Sequence, residues 1–69
     1  MVEVFKTNVQ KKTQCKKLLC ILSEAFPSVK INFDLSDRDK VLRIKGENIE
    51  ALRIMLLVMD HGFKCEILD

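Results

Sequence analysis

Residues 13–29 read TQCKKLLCILSEAFPSV, Thr13 to Val29. Cys15, Leu18, Leu19, Leu22, Ala25 and Phe26 recur at helical spacing, so one apolar stripe runs along one helix face. Pro27 sets the end, because the residue before a proline is driven toward extended backbone. A helix over 12–25 follows. The stripe must be buried, so the rest of this short chain is expected to supply a surface for it.

On either side the period changes from helical to two. Upstream, Val2–Lys6 alternates and reads as a strand. Between strand and helix, Thr7 with Gln10 three places on has the form of a capping box, which would let the helix begin as early as Asn8. Downstream, Val29–Asp34 alternates: Val29, Ile31 and Phe33 share one side, Lys30, Asn32 and Asp34 the other. The polar run Leu35–Lys40 is a turn, and Val41–Lys45 is the return strand of a hairpin, with Leu42 and Ile44 inward. After Gly46, Asn48 is the expected N-cap of a second helix, with Glu50 in its first turn. Ile49, Leu52, Leu56 and Met59 give the second helix its stripe, broadened by Ala51, Met55 and Val58. Gly62 sits where a left-handed residue would end it, and Phe63–Leu68 alternates as a last strand.

The order β-α-β-β-α-β predicts an α+β ferredoxin-like sandwich: a four-stranded antiparallel sheet with both helices on one face. Residues 1–69 form a single domain in this reading. Right-handed crossovers place the first and third strands centrally and the fourth beside the first. The Gly62 turn then comes close to the Thr7–Lys12 loop. The expected core is Leu18, Leu19, Leu22, Ile31, Phe33, Leu42, Ile44, Leu52, Leu56 and Ile67. The other sheet face should carry Lys30, Asn32, Asp34, Arg43, Lys45, Lys64 and Glu66.

Composition bounds the function. The chain is 48% hydrophobic and 32% charged, which favours a folded domain over disorder. A net charge of +2 is too mild to argue for nucleic acid. No apolar run approaches the roughly 20 residues of a membrane span. Three cysteines without evident pairing, and no apolar leader, lead us to expect free thiols in the cytoplasm.

Chemistry-bearing residues are few. No paired acid and base, nucleophile with its base, phosphate loop or Cys/His zinc spacing is readable, so an enzyme is not expected. No cofactor is implied. Asp34, Asp37 and Asp39 bracket a turn but lack the glycine and glutamate of a calcium loop. Cys15, near a helix N-terminus and several lysines, reads as a reactive thiol or, more plainly, as a small apolar residue opening the helix stripe; it is the one expected to react first if any does. Cys20 and Cys65 are expected to be shielded. His61, the sole histidine, falls in the last turn of the second helix, where the helix dipole favours partial positive charge.

The lysines are less easily dismissed. Lys6, Lys11, Lys12, Lys16 and Lys17 crowd one end of the first helix. Lys12 and Lys16 repel each other at i,i+4, and the helix dipole opposes positive charge there. Local stability does not account for them. An acidic protein surface met by Lys11, Lys12, Lys16 and Lys17 does; solvated lysines kept for solubility are the plainer alternative.

The element order, the length and two local signatures resemble the heavy-metal-associated domain, the family of small copper and mercury carriers and of N-terminal modules of metal-pumping ATPases. Phe26-Pro27-Ser28-Val29 is similar to the family's Leu-Pro-Gly-Val at the end of helix one, and His61-Gly62-Phe63 to its Gly-Tyr or Gly-Phe before the last strand. Counting back from Pro27, the family's second metal cysteine falls on Cys15, its first on Lys12, and its Gly-Met on Val9-Gln10. The resemblance thus implies the carrier scaffold with one thiolate where the family has two, and an ammonium in place of the other. Soft Cu(I) needs converging thiolates.

Three functions compete. The first is a non-enzymatic interaction module that has lost the two-cysteine site, a monomer or weak homodimer. The second is a degenerate copper or zinc carrier using Cys15 with His61, or Cys15 across two chains. The third is RNA binding, for which Phe5 is the one strand aromatic that could face outward. A regulatory amino-acid-binding module of the ACT type shares the topology, with no loop signature in its favour.

Overall fold

A computed structural model of the chain describes residues 1–68. Six elements follow one another: β1 (Val2–Thr7), α1 (Lys12–Ala25), β2 (Lys30–Asp34), β3 (Val41–Lys45), α2 (Ala51–Asp60) and β4 (Cys65–Ile67). The strands form one antiparallel sheet in the order β2-β3-β1-β4, with β1 and β3 central. This is the ferredoxin-like α+β sandwich that the sequence pattern predicts.

Register explains which side chains meet. Phe5, Leu42 and Phe33 share a rung, and Glu3, Ile44 and Ile31 share the next along the same face. Leu18 and Leu22 descend from α1, and Ile54 and Val58 from α2, to form the core with Phe5, Val9, Leu42, Ile44 and Cys65. Ile31 and Phe33 pack against that core, while Leu19 is half-buried.

Two expectations about the core need correction. Leu52 and Leu56 are 71% and 57% exposed. The inward face of α2 is instead Ile54 and Val58. Packing decides between the two stripes, since Ile54 and Val58 meet the core. Asn48, the expected N-cap, takes a left-handed φ of 53°, so the chain turns before the helix and α2 begins only at Ala51. Ile67 is 48% exposed because β4 is an edge strand, short of cover from the inward pair of α2.

Phe5 is the third correction. It is fully buried, on a central strand between Leu42 and Ile67. The valines of β1 take the opposite face: Val2 is exposed and Val4 half-buried. Lys30, Asn32, Asp34, Arg43, Lys45 and Glu66 lie on that face with them, and Arg43 approaches Asp34 at 3.9 Å. Val41 is buried there between its register partners Lys6 and Asp34.

The β2–β3 turn is held by its own side chains. Asp34 Oδ1 accepts the N–H of Ser36 at 3.1 Å and its hydroxyl at 2.6 Å, and Asp37 Oδ1 accepts the Asp39 N–H at 2.9 Å. These are the local bonds for which turn aspartates are selected. The Ser36 hydroxyl bond is the main cause of a lowered Asp34 pKa, with Arg43 adding to it.

A candidate interaction site at the N-terminal end of helix one

The loop between β1 and α1 is built by three anchors. Thr7 is buried; its hydroxyl donates to the Lys40 carbonyl oxygen and accepts the Val9 N–H at 3.3 Å. The Thr7 backbone N–H donates to the Asp39 carbonyl at 3.1 Å. Thr7 therefore ends β1 and ties it to β3, and it does not open α1 as a capping box. Val9 is the second anchor, fully buried in the core. Asn8 is the third. Its side-chain oxygen accepts the Lys64 N–H at 2.8 Å, which joins this loop to the turn after α2. The topology argument had placed those two segments together.

The helix N-terminus is capped from inside. Lys11 is the N-cap residue in extended geometry, φ −106° and ψ 143°. A lysine side chain has no acceptor to offer the first turn. Gln14 supplies one instead: its Oε1 accepts the backbone N–H groups of Gln10 at 3.2 Å and Lys11 at 3.1 Å. The Gln14 carbonyl thus fills half of a capping box, one turn later than the sequence pattern Thr7…Gln10 suggests.

Around this capped end the basic side chains stand in solvent. Lys11, Lys12, Lys16 and Lys17 are all exposed, and the first turn of α1 contains no acidic residue. None of the four forms an ion pair among the described residues; Lys6 does, with Asp39 at 3.9 Å. The cluster therefore meets solvent with its charge uncompensated by any ion pair among the described residues. The four lysines lie together on the first two turns, as their spacing implies.

Of the three thiols, only Cys20 departs from its expected place. Cys15 is half-buried against the core, and burial pushes its thiol up from the ordinary value of 9.0. Desolvation of the thiolate outweighs whatever the nearby lysines contribute. Cys20, expected to be shielded, is exposed on the outer face of α1. It lies about 200° around the helix from Leu18, on the side away from the core. Cys65 is buried, and burial together with the Glu66 charge pushes its thiol up to about 11.

His61 caps α2 and is exposed, its backbone N–H donating to the Val58 carbonyl at 3.1 Å. Gly62 follows with φ 89°, in the left-handed conformation that the sequence assigns to it. Among the described residues no group of three or more His, Cys, Asp and Glu side chains converges on a point where an ion could sit. No helix among them is long and apolar enough to cross a membrane.

Sequence reasoning missed a groove beside the loop. A cavity of about 590 Å³ opens along β4, lined by Met59, Phe63 and Cys65 on one side and by Lys6, Lys64 and Glu66 on the other. Its signal in the sequence was Met59 beside Phe63, two apolar residues flanking a turn.

With this geometry established, comparison with known proteins adds one relationship. No family model matches the sequence, and no curated protein is significantly similar to it. Among solved structures, the chain is similar to the copper transporter domain CCC2A of yeast, solved in solution in its apo and Cu(I)-loaded states. The TM-score is 0.82 at 18% identity, over 99% of this chain and 94% of that one. At this identity the likeness is one of fold: a ferredoxin-like sandwich shared from end to end.

Proposed function

We propose that the protein is a small, non-enzymatic interaction module of the heavy-metal-associated type, with the metal site lost and a lysine-rich end of α1 turned toward an acidic protein surface. The observation that carries this reading is the crown of Lys11, Lys12, Lys16 and Lys17 around the start of α1, exposed and without an ion pair among the described residues. Positive side chains at this end oppose the helix dipole, so the arrangement costs stability within the monomer. An approaching carboxylate surface reverses the sign of both terms.

The donor set speaks against metal cargo. The resemblance aligns Lys12 with the first metal cysteine and Cys15 with the second. Lys12 is the first residue of α1 and Cys15 lies one turn further, half-buried, with its thiolate disfavoured by desolvation. A lone desolvated thiol beside an ammonium is a poor ligand set for a soft cation. RNA recognition loses its one candidate ring, because Phe5 is in the core.

A Cu(I) titration against a competing chelator tests the reading. The native protein should take no copper from the chelator. Lys12→Cys recreates the Cys-x-x-Cys spacing with Cys15 and should gain stoichiometric binding. Stoichiometric binding by the native protein, abolished by Cys15→Ser, would put the carrier reading first.

A further inference from the structure

β4 is an open edge, and its backbone polarity can be worked out. Leu68 donates its N–H to the Val4 carbonyl at 2.9 Å, extending the β1–β4 register by one step. In an antiparallel pair, alternate residues direct both backbone groups at the partner strand. Glu66 and Leu68 therefore face β1, while Cys65 and Ile67 direct N–H and C=O away from the sheet. These are free ladder groups, available to another strand.

Beside this edge lies the apolar flank of α2. Arg53 stands over the Phe26 ring at 5.7 Å, which marks the side of α2 that faces α1. At 100° per residue, Leu52, Met55 and Met59 fall within about 60° of one another on the opposite side. Met59 and Cys65 both line the groove at the edge. Exposed Ile67 continues the same apolar strip along the strand.

We propose that two copies of this chain associate through β4, as an antiparallel β4–β4 pair about a twofold axis at Cys65, with the Leu52–Met55–Met59 flanks of the two α2 helices closing over the seam. The choice of a second copy rests on charge. With Cys65 opposite Cys65 of the second copy, the outward groups of both strands meet in one ladder. Lys64 then lies directly across from Glu66 of the second copy, and the twofold axis repeats the pair. On the helix face Ile67 meets Phe63, again twice. A slip that places Glu66 on the axis would set two carboxylates directly opposite, which is destabilising. The edge is thus self-complementary in one register and repulsive in the next. The result is an eight-stranded sheet, an isologous interface in which each surface element is used twice.

Sedimentation of the purified chain from roughly 10 µM to 1 mM tests this, the range suited to a small interface. The weight-average mass should rise toward a dimer across it. Lys64→Glu and Glu66→Lys, both at exposed positions, should each weaken self-association by about tenfold or more. An equimolar mixture of the two variants should recover a dimer, since each then meets its opposite charge at both pairs. A native chain that stays monomeric at 1 mM overturns the proposal and leaves the edge to an extended segment of another protein. Single variants that dimerise like the native chain, or a mixture that stays as weak as its components, overturn it as well.

Discussion

Asn8 and Lys64 are 56 residues apart in sequence and are joined by a 2.8 Å hydrogen bond, from the Lys64 N–H to the Asn8 side-chain oxygen. It is the bond that fastens the loop carrying the lysine cluster to the turn leaving α2. Asn8→Ala should lower stability by about 0.5–1.5 kcal/mol, the usual range for one such bond. Urea unfolding gives the value directly. A larger loss would mean that the loop folds with the core as one unit; no loss would mean that water replaces the asparagine.

The two helices can be tested for orientation by a matched pair of truncations. Leu22 is fully buried, so Leu22→Ala should cost roughly 2–5 kcal/mol. Leu52 is exposed, so Leu52→Ala should stay within about 0.5 kcal/mol of the native protein. Comparable losses at both sites would place Leu52 in the core and refute the orientation of α2.

Thiol chemistry ranks the three cysteines. A bulky alkylating reagent should label Cys20 first, Cys15 slowly and Cys65 only on unfolding, since they are exposed, half-buried and buried in that order. Mass analysis of tryptic peptides at early times reads the sequence of events. Cys15 reacting before Cys20 would contradict the burial described.

Cys65 also predicts a pH dependence. Its folded pKa, raised to about 11, exceeds the ordinary 9.0 of the unfolded chain. Folding therefore favours the protonated thiol. The associated stability is present below about pH 9 and falls away as pH rises through 11, by on the order of 2 kcal/mol. Cys65→Ala should flatten the stability profile between those pH values. An unchanged slope would show that Cys65 does not carry the decline.

Gly62 offers a test of backbone conformation free of packing. Its φ is 89°, and a Cβ added there would meet nothing within 4 Å. Gly62→Ala should cost about 1–2 kcal/mol from the left-handed geometry alone, and Gly62→Asn less. Equal costs for the two would point to a lost contact and not to φ.

How far the sequence could be read depended on how many faces of each element were polar. α1 has one apolar side, and Pro27 marks its end, so its limits and its buried leucines were legible. α2 is Ala-Leu-Arg-Ile-Met-Leu-Leu-Val-Met-Asp, apolar nearly all round. Two stripes compete there, and Leu52–Leu56–Met59 is as regular as Ile54–Val58. What decides between them is packing: Ile54 and Val58 meet the core, a tertiary outcome with no local signature. Phe5 was ambiguous for a similar reason, since valines occupy the alternate positions of β1 and either face could have been the inner one. At the candidate site, the lysines and the Cys15 position were plain in the sequence. The Gln14 cap, the Asn8 tether and the groove along β4 depend on partners brought together by the fold. The packing of Cys15 against the core follows from its place in the apolar stripe of α1. The outward position of Cys20 was readable from its angle to Leu18 and was passed over.

The central place of β1 has a consequence for how the chain is made. β2 and β3 are neighbours in sequence and can zip together as soon as both exist. β1 precedes both in the chain but pairs with Val41–Lys45 on one side and Cys65–Ile67 on the other. Its Phe5 has no complete surroundings until residue 67 has been synthesised. β1 therefore gains its first neighbour only with β3 and its second only with β4. Closure is a late, long-range event, of the kind that slows folding for a chain of this size.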